Sequence, residues 1–451
     1  MMVVTALLLI GCMFFSERFI IDHGQWFYAI HLLVVVILLL RKRENYIYFF
    51  SPSFMTLLYL NLSFALGHIV VSEAIGFDLK YYTAFLGFQS VKFITGFFIL
   101  CNFMVFLAMN FKDFDKVIEN RDDIKPQKIS AVSKFKIYPL FVVLFLLGFV
   151  QIDLSLIGGG GEFSYVFKLV VAIIIILLVS DFKSKIKYLY YLGMIFIFVI
   201  GSFDSKREIL YVIILILFFE FVRNRITIKM RFKQFVFFTL GLAFIFYLIV
   251  VSSIMRGYGN FGVDNPIDAS KYVFKYITSD YAANALSANF ELTSVYGNSS
   301  NAVNYVYSGQ VDYLYGTTFI KFLFLPIPRS IFPEKPDSMI DIYTTKFSPD
   351  FRSGGGSYPI VIYAESFWNF SLLSLPFIFC IFYFFNKMYL KMIRYVMHIK
   401  VNVQSVFLIY MFSTLIQFIR GSGFEIWLVY GILSLPFSWL LISIFRLKNI
   451  N

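Results

Sequence analysis

Residues 361–386 read VIYAESFWNFSLLSLPFIFCIFYFFN, 26 residues with a single charged side chain, Glu365. A helix of roughly 20 mainly apolar residues crosses the hydrocarbon of a bilayer, so this run is long enough to span one. Similar segments recur near 2–16, 26–40, 52–71, 87–110, 136–157, 165–180, 186–202, 207–222, 233–255, 401–418 and 424–445. The composition agrees: of 451 residues 59% are apolar or aromatic and only 15% are charged, where a soluble domain carries about 25% charge. The 59 Phe and 30 Tyr exceed what one aqueous core can hide. The chain reads as an all-α polytopic membrane protein with about 12 transmembrane helices, and a soluble globular enzyme is excluded.

The cations test that count. With both termini in the cytoplasm, 24 of the 39 Lys and Arg fall in inner segments, such as Arg41 to Arg43, Lys112 to Lys136, Arg223 to Lys233 and Lys387 to Lys400. Short outer loops hold only Arg18, Lys80, Lys206, Arg207 and Arg420. That asymmetry is what the positive-inside rule expects, and one miscounted span in the middle would scramble it. The net charge of +12 therefore records topology, and no nucleic-acid partner is expected.

One connection breaks the rhythm of short loops. The chain divides into spans one to nine (1–255), a loop of 105 residues on the outer side (256–360) and spans ten to twelve (361–451). Long loops are usually functional. Parts of this one read as helix, for instance Tyr272 to Tyr296, and Tyr313 to Phe332 is apolar enough to lie at an interface. It is expected to cap the membrane domain.

An ionisable group inside a bilayer costs about 2.5 to 3.5 kcal/mol at the centre on insertion scales, so charges kept at the outer ends of spans mark candidate sites. Asp204, Lys206, Arg207 and Glu208 share one tight turn; the structural alternative there is internal pairing and snorkelling. Arg256 stands where the ninth span opens into the loop, followed by Gly257, Gly259 and Gly262, whose bare backbone lets a ligand approach. Arg329, Glu334 and Lys335 are spaced by Pro326, Pro328, Pro333 and Pro336, and proline fixes the path that carries them. Arg352 precedes Tyr363, Glu365 and Trp368 at the start of the tenth span. Glu365 suits either a general base or an ion pair with one of the arginines. Arg420 follows the eleventh span, with Glu425 five residues on.

Arg207, Arg256, Arg329, Arg352 and Arg420 thus gather on one face under the loop. A guanidinium grips phosphate with two parallel bonds and keeps its charge, which suits a diphosphate. A lipid-linked diphosphate fits best, its tail among the spans and its head under the cap. Other signals are weaker. Gly158 to Gly161 lack the strand and helix of a phosphate loop. Asp113 and Asp115 have the spacing of a metal-holding DxD but lie in the most basic inner loop and read as a solvated charged face. Four histidines, His23, His31, His68 and His398, show no ligand spacing, and Cys12, Cys101 and Cys380 are far apart, so neither metal nor disulfide is expected.

In their order, these motifs resemble the Wzy-type O-antigen polymerases, the oligosaccharide repeat-unit polymerases. The resemblance rests on the turn Lys206-Arg207-Glu208, then Arg256-Gly257, then Pro328-Arg329 with Phe332-Pro333-Glu334-Lys335-Pro336. Glu365 with Phe367-Trp368-Asn369-Phe370 and then Arg420-Gly421 complete it, and Ser371 stands where that pattern has a glycine. The resemblance implies a GT-C-like glycosyltransferase of the bacterial inner membrane, independent of metal or other cofactor, with a periplasmic active site. It implies transfer of a glycan from one undecaprenyl diphosphate to the terminal sugar of a second lipid-linked repeat unit, with a chain-length regulator as a further partner. By the same resemblance Glu365, Arg256 and Arg329 are the catalytic candidates. Lys206, Arg207, Lys335, Arg352, Tyr363, Trp368 and Arg420 are the candidates for holding diphosphate and glycan. An O-antigen ligase and a lipid-linked oligosaccharide flippase are the alternatives.

Overall fold

The computed structural model describes residues 1–42, 44–73, 90–119, 135–149, 164–180, 182, 185–201, 206–224, 243, 246–247, 250–251, 254–255, 261–263, 265–279, 292–324, 327, 330–398, 401–421 and 423–447. Among them every regular element is a helix. In hydrocarbon that is expected, because a helix satisfies its own backbone hydrogen bonds within one segment. The first seven are α1 (Met2–Phe14), α2 (Glu17–His23), α3 (Gln25–Leu40), α4 (Tyr46–Phe49), α5 (Pro52–Glu73), α6 (Val91–Leu107) and α7 (Phe111–Glu119). Next come α8 (Ile137–Phe149), α9 (Ser164–Val179), α10 (Ile186–Gly201) and α11 (Lys206–Asn224). The 256–360 segment contributes α12 (Pro266–Lys271), α13 (Val273–Ile277), α14 (Leu292–Tyr307), α15 (Thr317–Ile320), α16 (Met339–Phe347) and α17 (Pro349–Ser353). The chain closes with α18 (Ile362–Phe370), α19 (Ser374–His398), α20 (Val403–Ser413), α21 (Leu415–Arg420) and α22 (Phe424–Ile444).

Four helical stretches among the described residues are long and apolar enough to cross a membrane, and α2 with α3, bent by 59°, makes a fifth if taken as one broken span. The bend is at Gly24, where a Cβ would lie 2.4 Å from the His68 ring. That ring closes the break: His68 Nε2 is 2.9 Å from the carbonyl oxygens of Ile20 and Ile21, and Nδ1 is 2.7 Å from the Tyr296 hydroxyl. Carbonyls only accept, so Nε2 carries the proton and Nδ1 accepts from the tyrosine.

Two groups of helices meet at α19. On one side α1 packs on α6 and α3 on α5; on the other α8 packs on α9, and α20 on α22. The central α19 touches α5, α6, α11 and α20. Its Asn386 donates to Ser53 Oγ at 2.7 Å and to the Ala108 carbonyl at 2.9 Å, tying three helices together through one buried amide.

The placement of α14 positions the candidate site. Its sequence, LTSVYGNSSNAVNYVY, is polar, yet residues 295–303 are buried and the helix packs along α5 and α18. Small residues Gly297, Ser299, Ser300 and Ala302 allow that close approach, as they do between helices in membranes. Several of its polar atoms find partners within the fold, while Asn298 Nδ2, Ser300 Oγ and Asn301 Oδ1 are buried without a hydrogen bond. Ser299 Oγ accepts from the Val361 N–H at 3.1 Å, Asn301 donates to the Tyr343 hydroxyl at 2.8 Å, and that hydroxyl donates to Asn298 at 3.3 Å. Of the helix expected over Tyr272 to Tyr296, the structure has Val273–Ile277 and the start of Leu292–Tyr307, with 280–291 outside the described residues.

Candidate active site

Val361, whose N–H is held by Ser299, caps the start of α18. Glu365 lies in the first turn of that helix, 2% exposed. Its backbone carbonyl accepts from Asn369 at 2.8 Å, and the same amide donates to Thr318 Oγ1 at 2.9 Å while its oxygen accepts from the Gly316 N–H. Segment 312–318 is thereby hung on α18, an attachment completed by Trp368 Nε1 donating to the Asp312 carbonyl at 2.9 Å.

The carboxyl of Glu365 faces Thr318, Lys321 and Glu425, and its Oε1 is buried with no hydrogen-bond partner. Lys321 is committed elsewhere: its Nζ lies 3.1 Å from Glu425 Oε1 and 3.8 Å from Asp341 Oδ2. Asp341 in turn pairs with Arg352. A chain of charge therefore runs from the partly exposed Arg352 through Asp341, Lys321 and Glu425 to Glu365. It joins three stretches of the 256–360 segment to α18 and α22. A buried carboxyl oxygen with no partner within the fold is costly, and a ligand, a bound water or a reacting proton can complete it.

Gly421 fits this corner for a visible reason. Its φ is +96°, and a Cβ there would stand 1.9 Å from the Ile360 carbonyl oxygen. Only glycine lets the end of α21 lie against the strand of chain entering α18. Arg420 is the last residue of α21 and so sits at the same corner.

The residues singled out from the sequence separate into groups. Glu365, Arg352 and Arg420 lie among the helices just described. Arg256 and Arg329 lie outside the described residues, as do the side chains of Lys206 and Arg207. Lys335 donates to the Ile327 carbonyl at 3.2 Å within the proline-rich stretch. Tyr363 is fully buried and donates to Asn102 at 3.0 Å, which continues to Asn61 at 3.0 Å. Together with Trp368 it acts as a strut that holds α18. Glu208 pairs with Lys168 of α9 at 2.9 Å, a partner its own turn did not suggest. Asp113 pairs with Lys387 at 2.8 Å and Asp115 with Lys42 at 3.2 Å, as a charged face does.

Sequence reading passed over Lys321, Asp341 and Thr318. Lys321 had a signal, being the one cation in the apolar stretch before Pro326. Asp341 had none, since the Ser338 hydroxyl accepting from its N–H makes it an ordinary first-turn acid.

Compared with family models, with curated proteins and with solved structures, the chain matches none. Among the described residues the fold is all-helical, with several helices able to cross a membrane, as a multi-pass membrane protein has.

Proposed function

We propose that this chain is a polymerase of lipid-linked oligosaccharide repeat units of the Wzy type, a GT-C-like protein of twelve spans in the bacterial inner membrane. Both termini are cytoplasmic and residues 256–360 are periplasmic in this reading. The observation that carries it is Glu365: a buried carboxylate with a partnerless oxygen, at the junction of spans and long loop, beside the arginine-bearing corner at Arg420.

In the reaction, the acceptor sugar's hydroxyl gives its proton to Glu365 as its oxygen forms the new bond to the donor's anomeric carbon. The bond from that carbon to the diphosphate oxygen breaks, and undecaprenyl diphosphate leaves with the electron pair. Arg207, Arg256, Arg329 and Arg420 meet the charge on the leaving group. Lys206, Lys335 and Arg352 line the approach. No metal enters this scheme, and a chain-length regulator is the further partner.

Deleting the gene and running the cell's surface glycolipid on a gel tests it. The expected result is loss of the ladder with one repeat unit still attached to the core, restored by the wild-type gene. Re-expression of Glu365→Gln, at equal membrane abundance, is expected to leave the ladder at least 100-fold depleted, in line with loss of a general base. A wild-type ladder from Glu365→Gln overturns the role of Glu365. Bare core with polymer stranded on its carrier indicates a ligase, and bare core with no periplasmic repeat units a flippase.

A further inference from the structure

One buried amide sets the surroundings of Glu365. Asn369 stands one turn further along α18 and uses both of its N–H groups and its oxygen. One N–H donates to the Glu365 backbone carbonyl at 2.8 Å, the other to Thr318 Oγ1 at 2.9 Å, and the oxygen accepts from the Gly316 N–H at 2.9 Å. A single side chain therefore holds Thr318, a residue of the long 256–360 segment, in register with Glu365.

Thr318 is fully buried, so its hydroxyl proton needs an acceptor. Its oxygen already accepts from Asn369, and the Glu365 carboxyl is the group to which it donates. Glu365 Oε1 has no partner, so the threonine proton falls to the other oxygen. The carboxyls nearby are engaged. Lys321, three positions after Thr318, holds Glu425 Oε1 at 3.1 Å and approaches Asp341 Oδ2 at 3.8 Å, and Arg352 pairs with Asp341. Of the carboxyls at this corner, Glu365 alone keeps a buried oxygen without a bond.

A carboxyl with neither oxygen held turns about its last bond, where one preferred angle does not exclude the others. A base must meet the hydroxyl it deprotonates at about 2.6–3.2 Å, and a misplacement of about 1 Å can cost about 100-fold in rate. We infer that Thr318 is a positioning residue for Glu365: its hydroxyl holds one carboxyl oxygen and leaves Oε1 open to the acceptor hydroxyl. The inference rests on the polymerase reading and adds to it that the base is complete only where segment 312–318 is bound to α18.

The test uses the full chain in phospholipid nanodiscs and two measurements. The first is the infrared carboxyl band of Glu365, identified as the band that Glu365→Gln removes. Thr318→Val keeps the shape of the side chain and loses the hydroxyl, and it is expected to shift that band; Thr318→Ser is expected to return it. The second is polymer formation from the lipid-linked repeat unit extracted from cells lacking the gene. Thr318→Val should lower kcat about 10-fold at unchanged KM, because orientation of the base matters only as the proton moves, and Thr318→Ser should recover the rate. A merely structural threonine would leave the band where it is. A band unmoved by Thr318→Val, or a shifted band with wild-type kcat, overturns the positioning role and leaves the polymerase reading standing. A surface ladder that survives deletion of the gene brings down the polymerase reading and the kinetic role with it, while the band still decides the contact. Thr318→Ala is the second variant should the valine unfold the chain.

Discussion

Ser371 ends α18 with φ of +54° and ψ of −135°, a conformation that glycine adopts freely and serine does not. The proposed polymerase reading expects a glycine at this position, and the backbone here adopts the positive φ that glycine takes freely. The strain falls six residues from Glu365, at the turn where α18 hands over to α19. Ser371→Gly is therefore expected to stabilise the protein by about 1 kcal/mol, the strain relieved exceeding the entropy that glycine adds to the unfolded chain. Thermal unfolding in detergent should show a higher Tm than wild type, and an unchanged or lower Tm would mean the serine carries no strain. Gly421 shows the opposite limit, a glycine that no side chain can replace because the Ile360 backbone occupies its Cβ position.

Helix α14 shows how an element can contradict its own polarity. Its asparagines, serines and tyrosines belong on a wet surface by composition, yet nearly every polar atom with a bond reaches α5, α16 or the start of α18. Ser299 is the sharpest case, because the Val361 N–H it receives is one of the first-turn donors that a helix cannot satisfy by itself. Ser299→Ala leaves that buried N–H without its partner and should cost about 1–2 kcal/mol. The lower Tm should be accompanied by weaker surface polymer, since the start of α18 sets where Glu365 points. If the Tm is unchanged, α14 is not what holds α18.

For the whole molecule the proposed twelve-span count, with its sidedness, rests on where 24 of the 39 cations fall. Cysteines placed singly at Gln127 and Ser287, in a background with Cys12, Cys101 and Cys380 replaced by serine, test it in intact cells with a membrane-impermeant thiol reagent whose access to the periplasm is established. Ser287→Cys should label and Gln127→Cys should not until the membrane is opened. Labelling of both from one side would break the twelve-span count, and with it the placement of Glu365 at the periplasmic face.

Fold class was legible in the sequence because burying apolar area in a bilayer is additive along the chain: roughly 20 mainly apolar residues declare a span wherever their neighbours go. Glu365 was legible too, as a charge whose burial has a cost that its own segment displays. Pairing was not. Whether Glu365 meets an arginine or faces Glu425 and a Lys321 already paired, whether Glu208 meets its own turn or Lys168, and whether α14 is surface or core depend on which helices become neighbours. Hydrogen bonds and ion pairs act over about 3 Å between residues more than a hundred positions apart, as Lys321 and Glu425 are. Composition and periodicity therefore determined that this chain is helical with segments able to cross a membrane and which charges it keeps at a cost, and only the tertiary structure decided which of those charges are answered and which oxygen is left waiting.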